Sequence, residues 1–213
     1  DLKMKMYQVD AFTTELFKGN PAAVIVSDEW LADALMQNIA AENNLAETAF
    51  VKIIDSENFE IRWFTPKVEV DFCGHATLAS SYVLFKDYTQ AKTIQFHVKD
   101  LGIFIITQTV DGKIQMNFPI RMPNIVEEYP ELLNEVIDRP IKEVYLNQQA
   151  YILVCESEQD VIEAKPNFAL INAIAEAYSV STAITASDAP DISITAVSEK
   201  YDYVARYFAP HKG

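Results

Sequence analysis

The 213-residue chain is half hydrophobic (50%), 23% charged, and carries a formal net charge of -14 with a pI near 4.5. That composition supports a soluble globular fold with a real core, in one large domain or two small ones. The acidic balance argues against nucleic acid or an anionic membrane as a partner, because both select basic patches. Two cysteines far apart in sequence, Cys73 and Cys155, suggest no disulfide framework and fit a reducing, cytoplasmic setting. No run approaches the length of a bilayer span. The start, Asp1-Leu2-Lys3-Met4-Lys5, leads straight into a strand pattern rather than a signal peptide, and either Met4 or Met6 suits a natural start.

Met4 to Phe12 alternates as a strand, and Phe17-Lys18-Gly19-Asn20-Pro21 reads as a turn. Ala22 to Val26 is a short buried strand. Ser27 or Asp28 is placed to cap a helix whose apolar residues Leu31, Leu35 and Ile39 recur at helical spacing through Asn43. Asn43 and Asn44 suit its end, since asparagine tolerates the left-handed conformation. Thr48 to Ile54 and Phe59 to Phe64 follow as strands around the turn Asp55-Ser56-Glu57-Asn58, and the β-rich stretch to Val70 is broken at Pro66. Residues 74–86 are apolar or small on every side, so the helix they form is expected to be buried all round. Thr93 to Val98, Leu101 to Thr109 and Lys113 to Phe118 are three further strands, with turns at Asp100 with Gly102 and at Asp111-Gly112.

Pro119 to Pro123 reads as a connector between an N-terminal half, 1–118, and a second half, 119–213. In the second half Glu131 to Ile137 is a short helix. Val144 to Glu156 forms two β segments around Asn147-Gln148-Gln149. Phe168 to Tyr178 is a helix with Phe168, Ile171, Ile174 and Ala175 on one stripe. Thr182 to Ala186, Ile192 to Val197 and Tyr203 to Phe208 read as strands. Tyr7 to Asn20 and Tyr203 to Gly213 share a strand, an aromatic and a polar loop with glycine, a weak echo that suits two related halves.

Two stretches carry chemistry. Cys73-Gly74-His75 stands at the start of the buried helix. Gly74 lets backbone approach a ligand, and the first N–H groups there suit a carboxylate. The plain alternative is a helix start with an inert thiol and a histidine satisfied by backbone. Glu47 stands where a helix hands over to the apolar run Thr48-Ala49-Phe50-Val51. A carboxylate at such a border is partly desolvated and tuned for general acid/base work, although a solvated loop glutamate has the same local sequence. Cys73-Gly-His75 lacks metal-ligand spacing, and no Gly-rich phosphate loop or nucleophile elbow is present.

These stretches together resemble the PhzF-like family of phenazine-biosynthesis isomerases. The matching runs are Gln8-Val9-Asp10-Ala11-Phe12, Phe17 to Val24, Met36-Gln37-Asn38-Ile39-Ala40, Asn44 to Val51, Arg62-Trp63-Phe64-Thr65-Pro66, Cys73 to Ala79 and Arg206-Tyr207-Phe208-Ala209-Pro210. The resemblance implies an α+β, diaminopimelate-epimerase-like fold. In that fold two pseudo-symmetric halves each wrap a curved sheet around a central helix, here 74–86 in the first half. It implies a cofactor-independent isomerase that shifts a proton on a small carboxylated substrate. Glu47 would be the single acid/base, Gly74, His75 and Cys73 would lie at the substrate, and a homodimer is implied.

Cys73 falls where the related racemases carry one of two catalytic thiols. No comparable motif surrounds Cys155, so Cys73 reads as a neighbour of the site; a thiol-dependent racemase is the competing chemistry. Ala46 departs from a serine that contacts ligand in some members. In the family the Phe-Ala-Pro run leads on to an Asp-Pro and Thr-Gly-Ser segment that starts the second central helix. Here the sequence stops at His211-Lys212-Gly213. The expectation is a retained part of a longer protein. The competing readings are a fragment, or a truncated, non-catalytic binding module on the same scaffold.

Overall fold

A computed structural model describes residues 4–118 and 120–212. The chain divides near residue 119 into two compact units. The predicted connector begins at Pro119, which lies outside the described residues; Ile120 to Pro123 is irregular and leads to a short strand.

The first unit is built on eight strands: β1 (Met6–Ala11), β2 (Asn20–Ser27), β3 (Glu47–Ile53), β4 (Asn58–Phe64), β5 (Glu69–Val70), β6 (Thr93–Val98), β7 (Gly102–Gln108) and β8 (Ile114–Asn117). Their order is β1-β2-β3-β4-β6-β7-β8, with β5 on β4. The β2–β3 and β4–β6 pairs are parallel and the others antiparallel. Helix α1 (Asp33–Asn43) makes the parallel crossover from β2 to β3, as a parallel pair requires. Helix α2 (Gly74–Asp87) packs against β1, β2 and β3 and also against β8. A helix can touch both ends of that strand path only if the sheet curls around it.

The composition of α2 suits this enclosure. Ala76, Ala79, Val83 and Leu84 are buried in the core with Trp63, Phe96 and Ile106. Burying side chains such as Val83 and Leu84 is worth roughly 1.5–3 kcal/mol each. The buried hydroxyls of Thr77, Ser80 and Ser81 donate to the carbonyls of Cys73, Ala76 and Thr77 one turn back, so they cost the core no unsatisfied donors. The helix is not enclosed on every side: Tyr82 is half exposed. Phe72, just ahead of α2, makes edge-to-face contacts with Trp63, Phe104 and Phe118 at 5.8, 5.6 and 4.9 Å between ring centres. That cluster fixes where the helix starts.

The cap expected at Ser27 or Asp28 is not used. α1 begins after Ala32, and Ser27 Oγ donates instead to the Glu29 carbonyl. Its first turn is held by an ion pair between Asp33 and Arg62 (2.9 Å), which also grips Glu69 with two 2.6 Å bonds. Asn44 ends the helix in the left-handed conformation, as its residue type predicted.

The second unit carries a five-stranded sheet of β9 (Asn124–Ile125), β10 (Ile141–Leu146), β11 (Ala150–Cys155), β12 (Asp191–Val197) and β13 (Tyr203–Phe208), in the order β13-β12-β11-β10-β9. Only β11–β12 is parallel. Helices α3 (Glu158–Glu163) and α4 (Phe168–Thr182) lie in that crossover. The core joins Leu133, Val144, Leu153, Val161, Ile171, Ile192 and Ile194.

Three sequence readings are corrected here. The strand expected over Thr182 to Ala186 is the last turn of α4 and the turn after it; the Ser181 and Thr182 hydroxyls back-bond to the Tyr178 carbonyl, and Ala183 ends the helix at φ 57°. The short helix expected over Glu131 to Ile137 is a 3₁₀ helix and ends at Glu135. The internal echo is real but falls elsewhere. β13 sits beside β12 as β4 sits beside β3, so Arg206-Tyr207-Phe208-Ala209-Pro210 corresponds to Arg62-Trp63-Phe64-Thr65-Pro66, not to the segment after Tyr7.

Among the described residues no helix is long and apolar enough to cross a membrane.

Candidate functional site

The sequence-predicted residues Glu47, Cys73, Gly74 and His75 come together in the first unit. Glu47 opens β3, opposite Ala22 across the parallel ladder. The next residue, Thr48, is fully buried and accepts from Asn43 Nδ2 at 3.1 Å, which fastens the end of α1 to the start of β3. Cys73 immediately precedes α2, Gly74 is its first residue and His75 its second. The strand therefore delivers a carboxylate from one side, and the helix start delivers a thiol and an imidazole from the other.

His75 Nε2 lies 3.1 Å from Glu47 Oε2, a close approach off the hydrogen-bond line. His75 Nδ1 lies 3.2 Å from Cys73 Sγ. The Glu47 and His75 side chains keep 17% and 11% of their surface, and Cys73 is buried. Burial pushes the Cys73 thiol well up, and the neighbouring Glu47 charge pushes it further; the first-turn N–H groups of Ala76 and His75 pull the other way without prevailing. Burial pushes the His75 imidazole down, partly offset by the Pro21 carbonyl. Both groups therefore stay neutral at neutral pH. The protonated thiol has two acceptors in reach, the Glu47 carboxylate and His75 Nδ1, so the three side chains form one coupled cluster.

A methyl group added at Gly74 would meet nothing nearer than the Phe72 ring, at 3.9 Å. The turn itself does not require glycine there, and the bare backbone leaves room against the helix start. Gly19 is different: a Cβ would stand 2.3 Å from the Ala11 carbonyl oxygen. It pins the β1–β2 loop, in which the exposed Phe12 and Phe17 both take left-handed backbone (φ 64° and 66°). That loop ends at Asn20 and Pro21, beside His75.

Spacing along the chain gave no metal set, because the third donor is remote in sequence. In space, donor atoms of Glu47, Cys73 and His75 lie within 4.8 Å of one another. Cys155 is a free thiol buried in the core of the second unit, with Leu153, Val161 and Ile194.

Sequence reasoning missed a second buried cluster, in the second unit. Asp191, at the head of β12, lies 3.1 Å from His211 Nε2 and 2.7 Å from Lys212 Nζ, and accepts from the Tyr207 hydroxyl at 2.5 Å. Burial raises its carboxyl, but the His211, Lys212 and Tyr207 contacts outweigh it and hold the group below the usual carboxylate range. Its signal was register: Asp191 stands opposite Ala150 as Glu47 stands opposite Ala22.

A curled mixed sheet around a buried helix, with Glu47, Cys73 and His75 gathered at the helix start, defines an α+β protein of the diaminopimelate-epimerase-like fold. The chain belongs to the phenazine biosynthesis-like (PhzC-PhzF) family, whose model matches residues 9–213. Two uncharacterized isomerases of Pseudomonas aeruginosa are 36% and 35% identical over 212 residues, spanning 100% of this chain and 75% of each relative. A crystal structure of a PhzF-family phenazine biosynthesis protein from Enterococcus faecalis superposes with a TM-score of 0.80 at 35% identity, over 99% of this chain and 75% of that one. A predicted epimerase from Pseudomonas aeruginosa shares the fold, with a TM-score of 0.65 at 16% identity over 90% of this chain and 70% of that one. These likenesses support an isomerase-like function.

Proposed function

We propose that the protein is a cofactor-independent isomerase that shifts a proton on a small carboxylated substrate, with Glu47 as its single acid/base. The observation that carries this reading is the 3.1 Å approach of Glu47 to His75 at the start of α2. Glu47 is the group in the cluster suited to accept a proton, since the Cys73 thiol is held protonated and buried. The neutral imidazole beside it donates from Nε2 to charge that develops on substrate oxygen. The substrate carboxylate lies against the open backbone at Gly74, where the helix's positive end favours it. The setting proposed is cytoplasmic, supported by two free thiols, and the assembly a homodimer, which sedimentation at monomer mass would refute.

The test is deuterium uptake from heavy water into small unsaturated or α-substituted carboxylic acids. Glu47→Gln should lower uptake by about 10²–10⁴-fold. Equal uptake by parent and variant would remove Glu47 as the base. Binding of carboxylates without any exchange would favour a non-catalytic binding module. Retention of about a tenth or more of the activity in Cys73→Ala would exclude the thiol-dependent racemase, whose base would be lost outright.

A further inference from the structure

We propose that Glu47, Cys73 and His75 bind one thiophilic divalent cation of the zinc type, and that the bound cation inhibits the protein. Inhibition rests on the isomerase reading above; binding rests on geometry alone. One donor atom from each side chain lies within 4.8 Å of the others. With zinc–ligand distances of about 2.0–2.3 Å, the edges of a tetrahedral site measure roughly 3.3–3.6 Å, so movements of about 1 Å close the set. Nε2 of His75 is already 3.1 Å from Glu47 Oε2, while the 3.2 Å contact to Cys73 Sγ is made by the other ring nitrogen, Nδ1, so the imidazole turns to present one nitrogen to the ion.

The donor types agree with the geometry. Thiolate and imidazole select zinc-like ions over magnesium or calcium, and three protein ligands with an open fourth position is the pattern of accessible zinc sites. As the metal–sulfur bond forms, Cys73 releases its proton to solvent. The thiolate and the Glu47 carboxylate then supply two negative charges against the ion's two positive ones. The positive end of α2 opposes a cation, but with a partial charge against two full ones. The partly exposed Glu47 and His75 side chains give the ion a way in. The scaffold holds the donors in place, since Phe72 locks the start of α2 and Thr48 locks β3. Among the described residues no other trio of such donors comes together.

Occupation would take Glu47 and His75 away from proton transfer and cover the open backbone at Gly74. The experiment titrates the reduced protein with Co²⁺, followed by Zn²⁺. A sulfur-to-cobalt charge-transfer band in the near ultraviolet should saturate at one equivalent and be displaced by Zn²⁺. Cys73→Ser should abolish the band. Glu47→Gln should weaken cobalt affinity by about tenfold or more, comparable to or beyond the loss of an outer-shell partner. Cys155→Ala should leave the band unchanged. Circular dichroism checks each variant's fold, and Glu47→Gln serves if Cys73→Ser does not fold. A missing band in the parent, a band that survives Cys73→Ser, or one lost with Cys155→Ala would overturn the site, the last two as adventitious binding only. A saturating band with undiminished proton exchange would overturn the inhibition and leave the isomerase reading standing. An inactive parent that still shows the band would sink that reading and not the site.

Discussion

Glu47 and Asp191 hold the same place in two different sheets. Each opens the strand that pairs in parallel with its predecessor, opposite an alanine, Ala22 for Glu47 and Ala150 for Asp191. The residue after each stands opposite the phenylalanine of a matching Arg-aromatic-Phe run, Phe64 against Thr48 and Phe208 against Ile192. Each has an imidazole nitrogen at 3.1 Å. Their surroundings then part company. Glu47 faces a neutral imidazole and a neutral thiol. Asp191 is wrapped by Lys212, His211 and Tyr207, which favour its charge and fasten the turn at 210–212 to the sheet.

That difference makes Asp191 a stability residue. Asp191→Asn leaves Lys212 beside an uncharged group in a buried setting and should cost about 3 kcal/mol. The pH dependence has a definite sign. A carboxyl held below its unfolded value of 3.8 contributes stability that is present above that value and is lost as pH falls through the folded value. Urea midpoints across the acid range should fall more steeply for the parent than for Asp191→Asn below about pH 4. Parallel curves would show that Asp191 does not carry the acid sensitivity.

Cys73 acts through His75. The thiol lies 3.2 Å from Nδ1, and the expected arrangement has it donating there, with the ring proton on the Glu47 side. Cys73→Ala removes that bias, so the nitrogen resonances of His75 should move from a single Nε2–H tautomer toward a mixture. Proton-exchange activity should fall by about tenfold, less than for Glu47→Gln. Cys73→Ser, which restores a donor, should recover the tautomer. An unchanged His75 spectrum in Cys73→Ala would show that the thiol only fills space.

Most of the first unit was legible in the sequence because local signals and burial agree there. The apolar run at 74–86, the asparagine cap at Asn44 and the turn at Pro66 each point one way. The second unit was less legible where polar or β-branched residues do helical work. Helix α3 is short and mostly polar, and its start depends on Ser157 accepting from the Asp160 N–H. The end of α4 reads as strand by propensity, yet hydroxyl back-bonding from Ser181 and Thr182 to the Tyr178 carbonyl carries the helix on. At the site, residue types were legible. The approach of Glu47 to Cys73 was not, because it depends on how β3 meets α2.

Ala183 gives a direct check on that misread helix end. It holds a left-handed φ of 57° on the surface, which costs a residue with a Cβ about 1 kcal/mol and glycine almost nothing. Ala183→Gly should raise stability by about 0.5–1 kcal/mol, read as a higher denaturant midpoint at unchanged slope. A strand at 182–186 would instead be weakened by the same change.

Gly19 and Gly74 should respond oppositely to a single methyl group. At Gly19 the added carbon meets the Ala11 carbonyl oxygen at 2.3 Å, and that atom belongs to the β1 backbone. The loop cannot yield without disturbing the β1–β2 ladder, so Gly19→Ala should cost about 1–3 kcal/mol, as overpacking does. At Gly74 the methyl group meets no atom within 3.9 Å, and alanine is the better helix former. Gly74→Ala should therefore leave stability equal or slightly higher. If substrate approaches the backbone at the start of α2, the same methyl group occupies its space, and KM should rise by about tenfold or more while the melting temperature holds. A variant with unchanged KM would move the carboxylate pocket away from Gly74 and leave Glu47 and His75 as the only fixed points of the site.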